Sequence, residues 1–71
     1  MRYTVIVEEG ATSWGAYVPD LPGCVAAGES REEALRLIRE AIEFHLEGLE
    51  EQGQPMLEPH SHGGVVEVHA A

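Results

Sequence analysis

The residues that could bind a metal are four histidines, His45, His60, His62 and His69. A His60-x-His62 pair joined by either of the other two would supply three nitrogen ligands of the kind that zinc accepts. The pair, however, stands among prolines and glycines without a cysteine companion. His45 falls on the apolar face of a helical pattern, where a packed core histidine is the commoner role. The sequence therefore favours a polar loop around His60 and His62 and predicts no metal site.

The sequence also offers few candidates for a catalytic nucleophile or for an acid–base pair. The single cysteine, Cys24, has no neighbouring histidine in the sequence and cannot form an internal disulfide, so we predict a small buried hydrophobic residue. Most carboxylates belong to the solvent face of the helical pattern, whereas acid–base catalysis needs a pair held in a sheltered pocket. Asp20 is the exception, because Pro19 and Pro22 hold it, and an Asx-type turn is the favoured interpretation. With no phosphate loop, nucleotide fingerprint or serine elbow, the sequence predicts no catalytic residue, no cofactor and no enzyme.

Chain length and net charge further narrow the classes of function that this protein can have. The chain has 71 residues and 7.7 kDa, which predicts one domain over residues 1–71. So short a chain buries only about 60% of its unfolded surface, and we expect a homo-oligomer to add to its core. Thirteen acidic and four basic residues give a net charge of −9, which repels nucleic acid and favours a basic protein partner. Without a signal peptide or an apolar run of about 18 residues, we expect a cytoplasmic protein that avoids membranes.

Three short segments alternate in the manner of strands. They are Arg2–Glu8, Trp14–Val18 and Cys24–Gly28, and the small polar loop between the first two predicts a hairpin. Tyr3, Val5 and Val7 would share one face of the first strand.

A long helix follows the strands. Ser30 and Glu33 have the spacing of a capping box, apolar residues then recur every three or four positions, and Gly53 marks the end of about 21 helical residues. Pairs of opposite charge at Glu32/Arg36 and Arg39/Glu43 are spaced to interact. After a Pro- and Gly-rich connection, Val65–His69 is strand-like. The predicted order is βββαβ, a single-domain α+β fold. One helix covers one sheet face, so the other face is solvated or buried against a second chain.

Three motifs in this order resemble the HicB antitoxin family over residues 3 to 69. They are the aromatic-x-Pro-Asp-Leu-Pro-Gly-Cys turn at Tyr17–Cys24, the Gly-x-Ser-x-x-Glu-Ala helix entry at Gly28–Ala34, and the Gly-x-Pro-x-x-Glu-Pro-x-Ser tail at Gly53–Ser61. The resemblance implies a partial RNase H-like fold of order βββαβ. It also implies an antitoxin of a type II toxin–antitoxin system, which binds a small basic HicA-type toxin and masks the site with which that toxin cleaves mRNA.

The sequence departs from the family pattern in two respects. No basic DNA-binding element follows the domain, so we expect no operator binding, and Tyr3–Val7 lacks the carboxylate that an RNase H-type nuclease needs at this place. Two alternatives stay open: a solitary oligomeric module without a toxin, and a degenerate RNase H-like hydrolase with metal ligands at Asp20 and nearby Glu residues. For the antitoxin we predict partner contacts in the acidic helix face and in six further residues: Trp14, Tyr17, Asp20, Leu21, Pro22 and Gly23.

Overall fold

The computed structural model describes residues 1–70 and contains three strands followed by one helix. The strands are β1 (Ile6–Glu9), β2 (Trp14–Tyr17) and β3 (Val25–Gly28), and the helix is α1 (Arg31–Glu51). The strands form one antiparallel sheet in the order β1-β2-β3. The α+β class, the hairpin and the first four elements of the predicted order are confirmed.

The strand register defines the two faces of the sheet. Val7, Ala16 and Ala26 stand opposite one another in one row, and they belong to the side that packs with the helix. The next row, Ile6, Tyr17 and Val25, points the other way because side chains alternate along a strand. Tyr17 and Val25 are 40% and 66% exposed. We call this second side the open face.

The core lies between the sheet and α1. Tyr3, Val5 and Val7 all pack against it, as the alternation of the first strand predicts. Cys24 is buried and forms no disulfide, which confirms the prediction of a small buried core residue. The fully or nearly fully buried apolar residues are Ala16, Val18, Leu21, Cys24, Ala34 and Ile38.

Side-chain hydrogen bonds start the helix. The Ser30 hydroxyl accepts from the Glu33 amide at 3.1 Å, and the Glu33 carboxylate accepts from the Glu29 amide at 3.0 Å. The predicted capping box is therefore present, although its return bond reaches one residue further back than the N-cap. These bonds satisfy amide groups that a helix start leaves unpaired.

The helix ends in a Schellman motif. The Gln54 amide donates to the Leu49 carbonyl at 2.9 Å, and the Gly53 amide donates to the Glu50 carbonyl at 3.1 Å. Gly53 has φ +68°, a left-handed conformation that glycine adopts without the steric cost of a side chain. The predicted end of the helix at Gly53 is thus confirmed, and the left-handed conformation of this glycine is its physical cause.

Only one of the two predicted ion pairs on the helix is present. Arg39 contacts Glu43 at 3.3 Å, as predicted, but Arg36 contacts Glu40 at 3.6 Å and not Glu32. Both pairs are well exposed, so each contributes little to stability.

The predicted final strand at Val65–His69 is not formed in this structure. Residues 54–70 have no regular secondary structure, and Val65, Val66 and Val68 are 99%, 82% and 78% exposed. The alternating pattern gives this segment strand propensity, but a strand also requires an edge with which to pair. In residues 1–70 this segment pairs with no strand, although the outer edge of β1 is also unpaired.

Candidate partner-binding site

The turn from Pro19 to Cys24 is rigid because its backbone is hydrogen-bonded at both ends. The Val18 amide donates to the Cys24 carbonyl at 3.2 Å, and the Leu21 amide donates back to the Val18 carbonyl at 3.1 Å. Gly23, at φ +84°, takes the left-handed position that reverses the chain. The turn therefore presents a fixed shape at the end of the sheet.

Asp20 is buried in this turn, and its carboxylate binds the tail of the chain. Oδ2 accepts from the amides of His60 and Ser61, both at 2.9 Å, and Oδ1 accepts from the Ser61 hydroxyl at 2.5 Å. The His60 ring nitrogen Nδ1 lies 3.1 Å from Oδ1. The side chain of Asp20 is only 1% exposed, so these contacts replace the water that an ionised carboxylate needs.

The hydrogen bonds keep Asp20 ionised. The Ser61 hydroxyl, followed by the backbone amides of Ser61 and His60, lowers the pKa of Asp20 to about 2, against the opposing effect of burial. The predicted Asx-type turn was wrong, because this carboxylate accepts from residues 40 and 41 positions away and not from its own turn. Sequence spacing could not reveal a contact of this range.

Two further bonds tie the tail to the start of the sheet. The Thr4 hydroxyl donates to the Ser61 carbonyl at 2.6 Å, and the Tyr3 hydroxyl donates to the Leu57 carbonyl. Together with Asp20 they form what we call the tail anchor. The family-like spacing of the tail, with Ser61 two residues after Pro59, was the only signal in the sequence that pointed to this feature.

Asp20, His60 and Ser61 are the residue types of a hydrolytic triad, but their arrangement differs. In a triad the histidine lies between serine and aspartate and takes the serine proton. Here the Ser61 hydroxyl donates directly to Asp20, and the His60 ring contacts the same carboxylate oxygen. A carboxylate with a pKa near 2 is too weak a base to activate a hydroxyl. The arrangement suits an anchor and not a nucleophile.

The structure separates the six predicted contact residues into two groups. Leu21 is 0% exposed and Asp20 is 6% exposed, so both are internal. Trp14 is half-buried and packs against the core on the helix side. The residues that a partner can reach are Tyr17, Pro22 and Gly23. Trp14 and Tyr17 are three positions apart on one strand and therefore lie on opposite faces of the sheet, so they do not form one aromatic contact surface.

A second surface, which the six predicted residues do not include, lies on the helix. Phe44 is 79% exposed, and Glu40, Glu47 and Glu51 are also exposed. These positions are three or four residues apart and so share one face of the helix. We call them, with Gly48, the acidic stripe. The spacing of Phe44 along the helix places it at the margin of the apolar side, and in the structure its side chain faces solvent.

The helix terminus reinforces the negative charge of the stripe. The last turn of α1 contains no basic residue, and Glu50 is exposed beside Glu47 and Glu51. The C-terminal end of a helix already carries a partial negative charge, so acidic residues there are unfavourable in the isolated chain. A cationic partner would relieve this repulsion.

The described residues offer no assembled metal or nucleophile site. Residues 1–70 contain no group of three or more His, Cys, Asp or Glu side chains placed to hold a metal ion. Burial raises the pKa of the Cys24 thiol, which disfavours the reactive thiolate. Over the same residues, no helix is both long enough and apolar enough to cross a membrane.

The sequence profile of the family described as "HicB_like antitoxin of bacterial toxin-antitoxin system" matches residues 3–69. The chain belongs to this HicB-like antitoxin family. The match includes the sheet, the helix, the turn that carries Asp20 and the tail that it binds. No solved structure matches the chain, so the RNase H-like relationship that the resemblance implies stays a prediction.

Individual relatives differ in length. A UPF0150 protein of Helicobacter pylori is 48% identical over 70% of this chain and 69% of its own length. A UPF0150 protein of Thermoplasma acidophilum is 35% identical over 99% of this chain and its whole length. Antitoxin HicB 2 of Photorhabdus laumondii is 40% identical over 59% of this chain but only 30% of its own length. An uncharacterized 14.9 kDa protein of Haemophilus phage HP1 is 38% identical over 79% of this chain, which spans 42% of the phage protein.

Proposed function

We propose that this HicB-like chain is the antitoxin of a type II system, which binds a small basic HicA-type toxin in the cytoplasm and occludes the surface with which the toxin cleaves mRNA. The observation that carries the proposal is the family match over residues 3–69. The net charge of −9 supports it independently, because an RNA-cleaving toxin must present a cationic surface to phosphates.

The acidic stripe is the surface best suited to this partner. Its carboxylates occupy one side of a rigid helix, where they can replace RNA phosphates on a basic surface. Phe44 lies among them with 79% of its surface exposed. An exposed aromatic residue surrounded by charges has the composition of an interface hot spot, with an apolar centre and a polar rim.

The glycine at position 48 is further evidence that the partner binds the acidic stripe. Glycine within a helix costs about 1 kcal/mol relative to alanine. A β-carbon at Gly48 would meet no atom within 4 Å, so the fold of the isolated chain does not require glycine here. A close approach of the partner beside Phe44 accounts for its presence.

The exposed part of the turn offers a second contact region. Tyr17, at the end of β2, is accessible, as are Pro22 and Gly23, whose segment is held by the hydrogen bonds of the turn. Leu21 and Asp20 are buried beneath this region. Leu21 packs in the core, and the Asp20 carboxylate binds the tail. Trp14 supports the sheet from the helix side.

We further propose that the chain acts without catalysis, without a cofactor and without binding nucleic acid directly. The hydrolase alternative uses Asp20 as a metal ligand. Both oxygens of this carboxylate are already occupied by His60 and Ser61, so metal binding would break the tail anchor. This arrangement favours the antitoxin over the hydrolase.

The experiment searches the genes beside this chain in its host for a small basic HicA-type protein and pairs the two proteins in solution. RNA cleavage by the toxin is measured with and without the chain, and affinity is measured by calorimetry at two salt concentrations. We expect stoichiometric inhibition and weaker binding at high salt. Absence of any complex would overturn the proposal in favour of a solitary module.

A matched pair of variants locates the contact surface. One replaces Glu40, Glu47 and Glu51 by Gln, and the control makes the same three changes at Glu8, Glu9 and Glu29, which are also exposed. Both variants lose the same charge. We expect the stripe variant to lose at least about tenfold in affinity, and the control much less, because close charge pairs contribute more than the distant field. Equal losses would show that the toxin binds elsewhere.

A further inference from the structure

The Phe44 ring lies at a boundary of charge on the surface of α1. Because successive helix residues are about 100° apart, the three glutamates of the acidic stripe all lie on one side of Phe44 around the helix axis, and Gly48 lies on the other. Helix side chains lean toward the N-terminus, so Glu47 is directed toward the turn that contains Phe44. One edge of this exposed ring therefore borders carboxylates, and the other borders a residue without a side chain.

The carboxylates around Phe44 differ in their partners. Arg36 contacts Glu40 at 3.6 Å, whereas among residues 1–70 neither Glu47 nor Glu51 forms a salt bridge. The last turn of α1 has no basic residue that could compensate them. The partial negative charge of the helix C-terminus adds to theirs. Glu47 is therefore an uncompensated anion one turn from an exposed aromatic ring.

These charges argue against two occupants of this surface. A second copy of the chain would bring the same three glutamates against its own, and like charges in contact repel each other. A wholly apolar partner would remove water from Glu47 without replacing its hydrogen bonds, which costs free energy. The surface fits a group that is cationic, flat enough to cover an aromatic ring, and able to donate hydrogen bonds.

We propose that an arginine of the basic partner stacks on the Phe44 ring and donates to the Glu47 carboxylate, an inference that rests on the proposed function because the toxin is that partner. The face of a guanidinium is attracted to an aromatic face, and its N–H groups, which lie in its plane, match the two oxygens of a carboxylate. A lysine ammonium is a compact charge without such a plane. Gly48 leaves the opposite edge of the ring open for the apolar stem of the arginine.

The first test uses the chain without a toxin. Its affinities for hexa-arginine and hexa-lysine, two peptides of equal charge, are measured by calorimetry at low salt. We expect hexa-arginine to bind roughly two- to fivefold more tightly, the range of an exposed cation–π contact. In Phe44→Leu this preference should disappear, whereas Phe44→Tyr, which keeps an aromatic face, should retain it. Because Phe44 is 79% exposed, neither change disturbs the core.

A matched pair of charge variants tests the carboxylate. Glu47→Gln and Glu8→Gln each remove one exposed negative charge, the first beside Phe44 and the second on β1. We expect Glu47→Gln to reduce the preference for hexa-arginine and Glu8→Gln to leave it unchanged. A preference that survives Phe44→Leu would overturn the proposal. Equal effects of the two glutamate changes would overturn it as well.

The second test repeats the Phe44 variants in the complex with the toxin. We expect Phe44→Leu to weaken this complex roughly two- to fivefold or more and Phe44→Tyr to weaken it less. A complex that forms equally well with Phe44→Leu would overturn the arginine contact and leave the antitoxin function intact. Absence of any complex with the wild type would overturn the antitoxin function, while the peptide measurements would still decide whether Phe44 and Glu47 select arginine.

Discussion

Leu21 belongs to the predicted contact site, but its role is to stabilise the fold and not to contact a partner. From the sequence it was a candidate contact in the turn, but in the structure its side chain is 0% exposed. We therefore predict that Leu21→Ala lowers the stability of the chain itself. Removal of a fully buried leucine side chain to alanine costs about 2–5 kcal/mol, since the transfer free energy is lost and a cavity remains.

This cost is large for so small a domain. At about 0.05–0.15 kcal/mol per residue, the 71 residues correspond to a total stability of roughly 4–11 kcal/mol. A domain of this size loses about 4–8 °C in Tm for each kcal/mol, so a change of about 3 kcal/mol lowers Tm by roughly 12–24 °C. The variant should be partly unfolded under conditions in which the wild type is fully folded.

The assay is thermal and urea unfolding, followed by far-UV circular dichroism at one fixed protein concentration, because self-association changes the apparent stability. Leu57→Ala is the matched control, since it makes the same deletion in a leucine that is 40% exposed. Three methylene-sized groups at about 0.8 kcal/mol each, only partly removed from water, give a loss of at most about 1.5 kcal/mol. If Leu21→Ala costs no more than Leu57→Ala, the turn does not close the core as described.

The remaining predictions concern Gly48 and Asp20. Gly48→Ala should raise the free energy of unfolding by about 0.5–1 kcal/mol, because a β-carbon there meets no neighbour, and a destabilised variant in urea unfolding would contradict this. The pKa of Asp20 is lowered from 3.8 to about 2, so the stabilisation from the tail anchor is fully present above the unfolded value and is lost as the pH falls through about 2. Titration of the Asp20 carboxyl carbon by NMR should show this low pKa, and Ser61→Ala should raise it, because the Ser61 hydroxyl is its main cause. A native pKa near 3.8 would refute the anchor.

The candidate site was predicted less completely than the fold. The turn motif marks a segment that is rigid in the structure, yet three of the six proposed contacts are buried or packed on the core side, namely Trp14, Asp20 and Leu21. Motif spacing shows that a residue is important to a turn, but it does not show whether the side chain faces inward. Phe44 is not among the predicted contacts, because it lies at the edge of the apolar side of the helix, where spacing alone does not decide between core and solvent.

The sequence by itself determined the local features of this protein. Ser30 and Glu33 begin the helix, Gly53 ends it, and alternation defines the strands, because each of these depends on residues only a few positions apart. Net charge, also a property of the sequence alone, indicated a basic partner.

Only the tertiary structure decided the contacts between distant segments. It bound Asp20 to Ser61 and left Val65–His69 unpaired, although the local pattern predicted a strand. Both outcomes depend on which groups meet when the sheet, turn and tail come together. A hydrogen bond across 41 residues, or the absence of a strand partner, is a property of that assembly, and no local pattern contains it.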